Sequence, residues 1–155
     1  DRFMLKVVVT YPSADEERVI MERMTEGHDV VARSIVGAEE LKQAALVVRS
    51  VYVDEKIKRY IVDLVIASRT PEKFGLSEIK PLLTFGASPR ASIALNLAAR
   101  GHAFLRHRGF VTPDDVKSIA YDVLRHRINL SFEAQAEDVR SEDIVQRILE
   151  AVPVP

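Results

Sequence analysis

The sequence predicts a mainly α-helical protein, a helical bundle preceded by one orphan β-strand, with room for one short strand pair. Three observations predict it. Phe3–Val9 is a β-rich and almost continuously apolar run, the kind buried on both faces of a sheet. No later segment offers that run a matching set of strands. From Ser13 onward, apolar residues recur at helical spacing and are punctuated by helix start signals.

Composition narrows the classes of function. The chain has 155 residues, 47% hydrophobic and 29% charged, with a net charge of −1. That suits one compact domain, with or without an appendage. The absence of cysteine excludes a disulfide framework, a thiol nucleophile and a cysteine-ligated metal. Near-neutral charge argues against a dedicated nucleic-acid binder. No apolar run reaches membrane-spanning length and nothing at the start resembles a signal peptide, so the expected location is the cytoplasm. The chain opens at Asp1, directly before an apolar run, and is expected to be a piece of a longer protein.

Tyr11-Pro12 breaks the first strand, and Ser13 with Glu16 forms a capping box for a helix to about Thr25. Ile20, Met21 and Met24 are its expected inner face. Glu26–Asp29 reads as a loop and Val30–Val36 as an extended piece ending at Gly37. Leu41, Ala44, Ala45, Val48 and Tyr52 share one helical stripe. Asp54 caps the next helix, where Ile57, Tyr60, Ile61, Leu64 and Val65 repeat the spacing. A short turn joins these two helices, which predicts an antiparallel pair.

Thr70–Gly86 reads as an irregular connection, with a helical turn or two between Ser77 and Leu83. The next helix runs from Ser88 to about His107, stops at Gly109 and is apolar on more than one face. It is therefore the expected central helix, with Leu97 buried beside Leu64 and Ile119. Arg100, Arg106, His107 and Arg108 give it a cationic end that complements the helix dipole. Thr112-Pro113-Asp114-Asp115 starts a helix with Val116, Ile119, Ala120, Val123 and Leu124 inward. Ile128–Phe132 reads as extended, Glu133–Asp138 as either helix or loop. Ser141 is the expected cap of a last helix carrying Ile144, Val145, Ile148 and Leu149. The Phe3–Val9 segment, without sheet neighbours, is expected to pair with another copy, with Val30–Val36 or Ile128–Phe132, or to be disordered.

Candidate chemistry centres on Phe85-Gly86-Ala87-Ser88-Pro89-Arg90-Ala91. Ser88 can cap free N–H groups, and Pro89 suits a first helical position that needs no N–H. Arg90 then stands in the first turn, at the helix end that favours an anion, and its planar fork suits phosphate. A well-capped helix with a surface arginine explains the same residues. No GxxxxGK[ST] loop is present, so the chain cannot cradle a nucleotide unaided. His28, His102, His107 and His126 never fall at i,i+4 and make a poor metal set. The serines occupy caps and not a nucleophile elbow. Arg106–Arg108 reads as a solvated helix end in preference to a nucleic-acid contact. Arg2, before the buried strand, joins Arg90 as a candidate at the edge of a nucleotide site.

The order of segments resembles the C-terminal part of a MoxR-family AAA+ ATPase. The resemblance rests on Asp1-Arg2-Phe3, Tyr11-Pro12-Ser13, Val51-Tyr52-Val53-Asp54 and Gly86-Ala87-Ser88-Pro89-Arg90-Ala91. It continues through Val111-Thr112-Pro113-Asp114-Asp115-Val116, Leu124-Arg125-His126-Arg127-Ile128 and Val152-Pro153-Val154-Pro155. It implies that residues 1–10 end the α/β nucleotide-binding core and that residues 11–155 form the helical lid. It implies that Arg2 resembles an arginine finger reaching a neighbouring subunit's nucleotide. Arg90 resembles the sensor-2 residue at the γ-phosphate, with Ser88 and Pro89 beside it. The parent is then expected to use ATP and magnesium, while this chain, lacking Walker A and Walker B, binds neither tightly and is inactive alone. The family implies a hexameric ring, client complexes to remodel or activate, and von Willebrand factor A domain partners. Gly37 departs from the Ser or Thr usual there as a helix cap. Competing readings are the ATPase subunit of a magnesium-chelatase-like complex and a non-enzymatic helical interaction module.

Overall fold

The computed structural model describes residues 2–26 and 31–155. Of the loop expected over Glu26–Asp29, residues 27–29 lie outside the described residues, as does Val30. Among those described are seven α-helices: α1 (Ala14–Thr25), α2 (Ala38–Ser50), α3 (Glu55–Ala67), α4 (Pro89–Leu105), α5 (Pro113–Leu124), α6 (Phe132–Ala136) and α7 (Ser141–Ala151). Strands β1 (Leu83–Phe85) and β2 (Asn129–Leu130) pair antiparallel, with Leu83 opposite Leu130 and Phe85 opposite Asn129. Two 3-10 turns, Pro71–Phe74 and Ser77–Ile79, lie in the connection between α3 and β1. No helix among the described residues is long and apolar enough to cross a membrane.

Local start signals explain several helix boundaries. Glu16 accepts from the Ser13 N–H at 2.8 Å, and the Ser13 hydroxyl accepts from the Glu16 N–H at 3.4 Å, completing the capping box. Asp54 accepts from the Lys56 N–H at 2.8 Å. At α2, Glu40 reaches back to the Gly37 N–H at 2.6 Å, so this helix start is supported despite the missing cap hydroxyl. At α7 the cap position is Arg140, whose N–H donates to Asp143 at 2.8 Å. Ser141 is thus the first helical residue and not the cap.

The packed body begins at Val51; no described residue before it is buried. α4 lies against α5, with α3 and α2 also on α4 and α7 on α5. Leu64, Val65, Leu95, Val116, Val123, Leu124, Ile144 and Ile148 form its closed centre. The inward face of α4 is small: Ala91, Ala94, Leu95, Ala99 and Ala103. Alanine at these positions lets α5 approach closely, which turns the larger Ile93 and Leu97 outward. Leu97 is 41% exposed, contrary to its expected place in the core, and Ile119 is only partly buried against it. Truncating Leu95 to Ala is therefore expected to cost roughly 2–5 kcal/mol, and truncating Leu97 much less. Paired denaturant melts check this, and equal losses would contradict the assignment of faces.

Other expectations are also corrected. α1 has no buried residue, and Ile20, Met21 and Met24 are exposed. Of these, Ile20 lines, with Val19, an open groove beside Val9–Pro12. α2 packs on α4 and not mainly on α3, because the connection between α2 and α3 is extended and tethered. There Val51 and Val53 are buried, while Tyr52 bridges Phe110, donating to Gly109 and accepting from Val111 at 2.9 Å each. α4 ends at Leu105, before Gly109. His107 supplies the left-handed residue at φ 56°, its N–H donates to Phe104, and the Arg108 N–H donates to Ala103.

Phe3–Val9 forms no ladder, neither with residues 31–36 nor with β2. A strand needs partners, and here the Lys6 N–H and the Phe3 and Met4 carbonyls are met individually at the end of α5. The Lys6 N–H donates to the Asp122 carbonyl at 2.8 Å. The apolar side chains stay largely in water, with Phe3 80% and Val9 89% exposed.

Candidate functional site

The turn before α4 is built around Gly86. A Cβ placed on it would stand 2.1 Å from the Ser68 carbonyl oxygen, so only glycine permits this approach of two backbones. Ala87 is fully buried, and its N–H donates to the buried Ser68 hydroxyl at 2.9 Å. That hydroxyl in turn donates to the Val65 carbonyl at 2.7 Å. The end of α3 therefore fixes the start of α4. Gly86→Ala is expected to force the two segments apart at a cost of about 1–3 kcal/mol or more and to displace Arg90. Thermal melts check the first effect; an unchanged midpoint would contradict the close approach.

Pro89 is the first residue of α4 and Arg90 the second. Ser88 occupies the cap position with extended backbone, but its side chain makes no capping bond. The reason is local: Pro89 has no N–H to satisfy, and the Ala91 N–H already donates to the Ser88 carbonyl at 2.8 Å. Arg90 is exposed at the positive end of the helix dipole.

The structure brings the two candidate arginines onto one cavity. Arg2, Met4, Arg90, Ile93, Ala94, Leu97 and Arg127 line a space of about 280 Å³. Arg2, Arg90 and Arg127 bring positive charge to its lining from three separate parts of the chain, beside the apolar Met4, Ile93, Ala94 and Leu97. This arrangement suits a compact anion that can accept several N–H bonds. The outward turn of Leu97 is part of it, since that side chain lines the cavity.

Sequence reasoning missed Arg127 as part of this site, although it stands within Leu124–Ile128, a segment that carried the family resemblance. The reading of Arg106–Arg108 as a solvated end also needs correction at Arg108. Its terminal nitrogens donate to both oxygens of the fully buried Asp115, at 2.7 and 2.5 Å. Asp115 also accepts from the Thr112 N–H and from His102 Nδ1, each at 2.7 Å. The Val111–Val116 motif is thus a structural junction binding the end of α4 to the start of α5.

Residues 76–148 match the AAA lid domain family. The whole chain aligns with the chaperone MoxR1 of Mycobacterium tuberculosis at 38% identity, covering 41% of that protein. It aligns with the protein MoxR of Paracoccus denitrificans at 33% identity, covering 49% of it. A crystal structure of a candidate ATPase from Cytophaga hutchinsonii superposes on 99% of the chain with a TM-score of 0.94 and 35% identity, covering 47% of that chain. The fold and the matched segment thus define an AAA lid domain. Over its whole length the chain is similar to MoxR-family AAA+ proteins, and it spans less than half the length of these relatives.

Proposed function

We propose that this chain is the lid and sensor portion of a MoxR-type AAA+ ATPase, a chaperone that remodels or activates client protein complexes. The observation that carries the reading is the shared cavity of Arg2 and Arg90. At about 280 Å³ it lies below the ~300–1,000 Å³ of a typical ligand pocket. Its positively charged lining suits the phosphate end of a nucleotide. ATP with magnesium, held by the core of the parent, supplies that phosphate and the driving force of its hydrolysis. This chain, without a phosphate-binding glycine loop, neither binds ATP tightly nor hydrolyses it alone.

The roles of the residues follow from charge. Arg90 donates to the γ-phosphate from the first turn of α4, where dipole and side chain act in the same direction. Arg2 stabilises negative charge that develops on the same group during transfer. Ser88 and Pro89 set the backbone that aims Arg90. Once the phosphate leaves, Arg90 loses its partner and the lid is released to a new angle. In a ring, hexameric in this reading, Arg2 addresses a nucleotide held by the neighbouring subunit, and the shared cavity supports a role for Arg90 at that same phosphate. The likeness to the chaperone MoxR1 supports work on client complexes; von Willebrand factor A domain proteins as partners and the cytoplasm as the location are part of the same proposal. ATP turnover of the full-length protein carrying Arg90→Ala tests the reading: a strong loss is expected, and wild-type turnover contradicts it.

A further inference from the structure

We infer that Arg127 is a positioning residue that clamps the Arg2 segment to the end of α5 and so sets the place of Arg2. The inference rests on how the end of α5 is finished. The last carbonyls of a helix have no partner within it and must find one elsewhere. Here the Tyr121 carbonyl accepts from the Arg125 N–H and from Arg125 Nε. The Asp122 carbonyl accepts from the Lys6 N–H at 2.8 Å. The Val123 carbonyl accepts from Arg127 Nη1. The Leu124 carbonyl accepts from the Arg127 and Ile128 N–H groups at 2.8 and 3.2 Å. One of these four carbonyls is thus closed by the N-terminal segment and another by the Arg127 side chain.

The same guanidinium reaches the N-terminal segment. Nη1 donates to the Met4 carbonyl at 3.0 Å and Nη2 to the Phe3 carbonyl at 2.6 Å, while His126 Nε2 lies 3.1 Å from that Phe3 oxygen. Nη1 carries two hydrogens and has two acceptors, Met4 and Val123, so it is fully used on the backbone. Arg127 is only 7% exposed, and the negative end of the α5 dipole lies beside its charge. These features suit a strut more than an anion receptor, which keeps its fork open to the ligand. The clamped carbonyls directly follow Arg2, so Arg127 sets where Arg2 stands on the cavity wall.

The consequence for turnover rests on the proposed phosphate contact of Arg2; the clamp itself does not. The test uses full-length protein carrying Arg127→Met and Arg127→Lys, the second serving if the first fails to fold. Lysine keeps the charge but has no planar fork to span the Phe3, Met4 and Val123 carbonyls. Amide exchange at Lys6 is expected to accelerate roughly tenfold or more, while amides of α3 and α7 keep their protection. Unchanged exchange at Lys6 would overturn the clamp. In ATP turnover, the Arg127→Lys change is expected to add nothing in an Arg2→Ala background, as for two residues acting through one contact. Losses that multiply would overturn the positioning of Arg2. Wild-type turnover in Arg2→Ala alone would sink the phosphate role of Arg2, and the clamp would then stand or fall on the exchange result.

Discussion

Replacing Asp115 with Asn is expected to destabilise the protein by roughly 3–5 kcal/mol, the usual result of removing one partner from a buried ion pair. Asp115 is fully buried and receives hydrogen bonds from Arg108, His102 and the backbone and hydroxyl of Thr112. An amide retains one acceptor oxygen and turns N–H groups toward donors. The loss should depend on pH. Burial alone would raise the carboxyl pKa, but the bonds from Arg108, Thr112 and His102 outweigh it and hold the pKa below the ordinary carboxylate range. A depressed folded-state pKa means that the contribution is complete above the unfolded value of about 3.9. It is lost as pH falls through the lower folded value. Urea melts of wild type and variant should differ most at neutral pH and converge on acidification. A difference that persists or grows in acid would contradict the assignment.

The helices whose stripes meet a partner within this chain were legible. α3, α5 and α7 bury Leu64, Val123 and Ile144 as their spacing predicts, and the Ser13 and Asp54 caps are realised. α4 was misread because it is apolar on several faces, and periodicity cannot say that the alanine face is the inner one. The stripe of α1 is real, but nothing in the described chain buries it. β1 and β2 are too short to show a two-residue period. The site was half legible. Gly86–Arg90 announces itself through helix-start chemistry, whereas Arg127 is visible only in three dimensions, where it meets carbonyls from the opposite end of the sequence.

The second large effect is expected at Arg90. A charged hydrogen bond is worth ~1.5–3 kcal/mol, so Arg90→Ala should lower ATP turnover of the full-length protein by roughly ten- to a hundredfold. Arg90 is exposed and outside the core, so the melting temperature should scarcely move. That combination separates loss of a phosphate contact from loss of structure. It also separates Arg90 from Gly86, where the fold itself is expected to suffer.

The most direct measurement is ATP turnover by four full-length proteins: wild type, Arg2→Ala, Arg90→Ala and the double variant. Two arginines lining one cavity and meeting one phosphate predict that each single change is costly. They also predict that the double loss departs from the product of the single losses, as it does for residues sharing a partner. Single variants that turn over ATP like wild type, or losses that simply multiply as for distant sites, would contradict a common phosphate site.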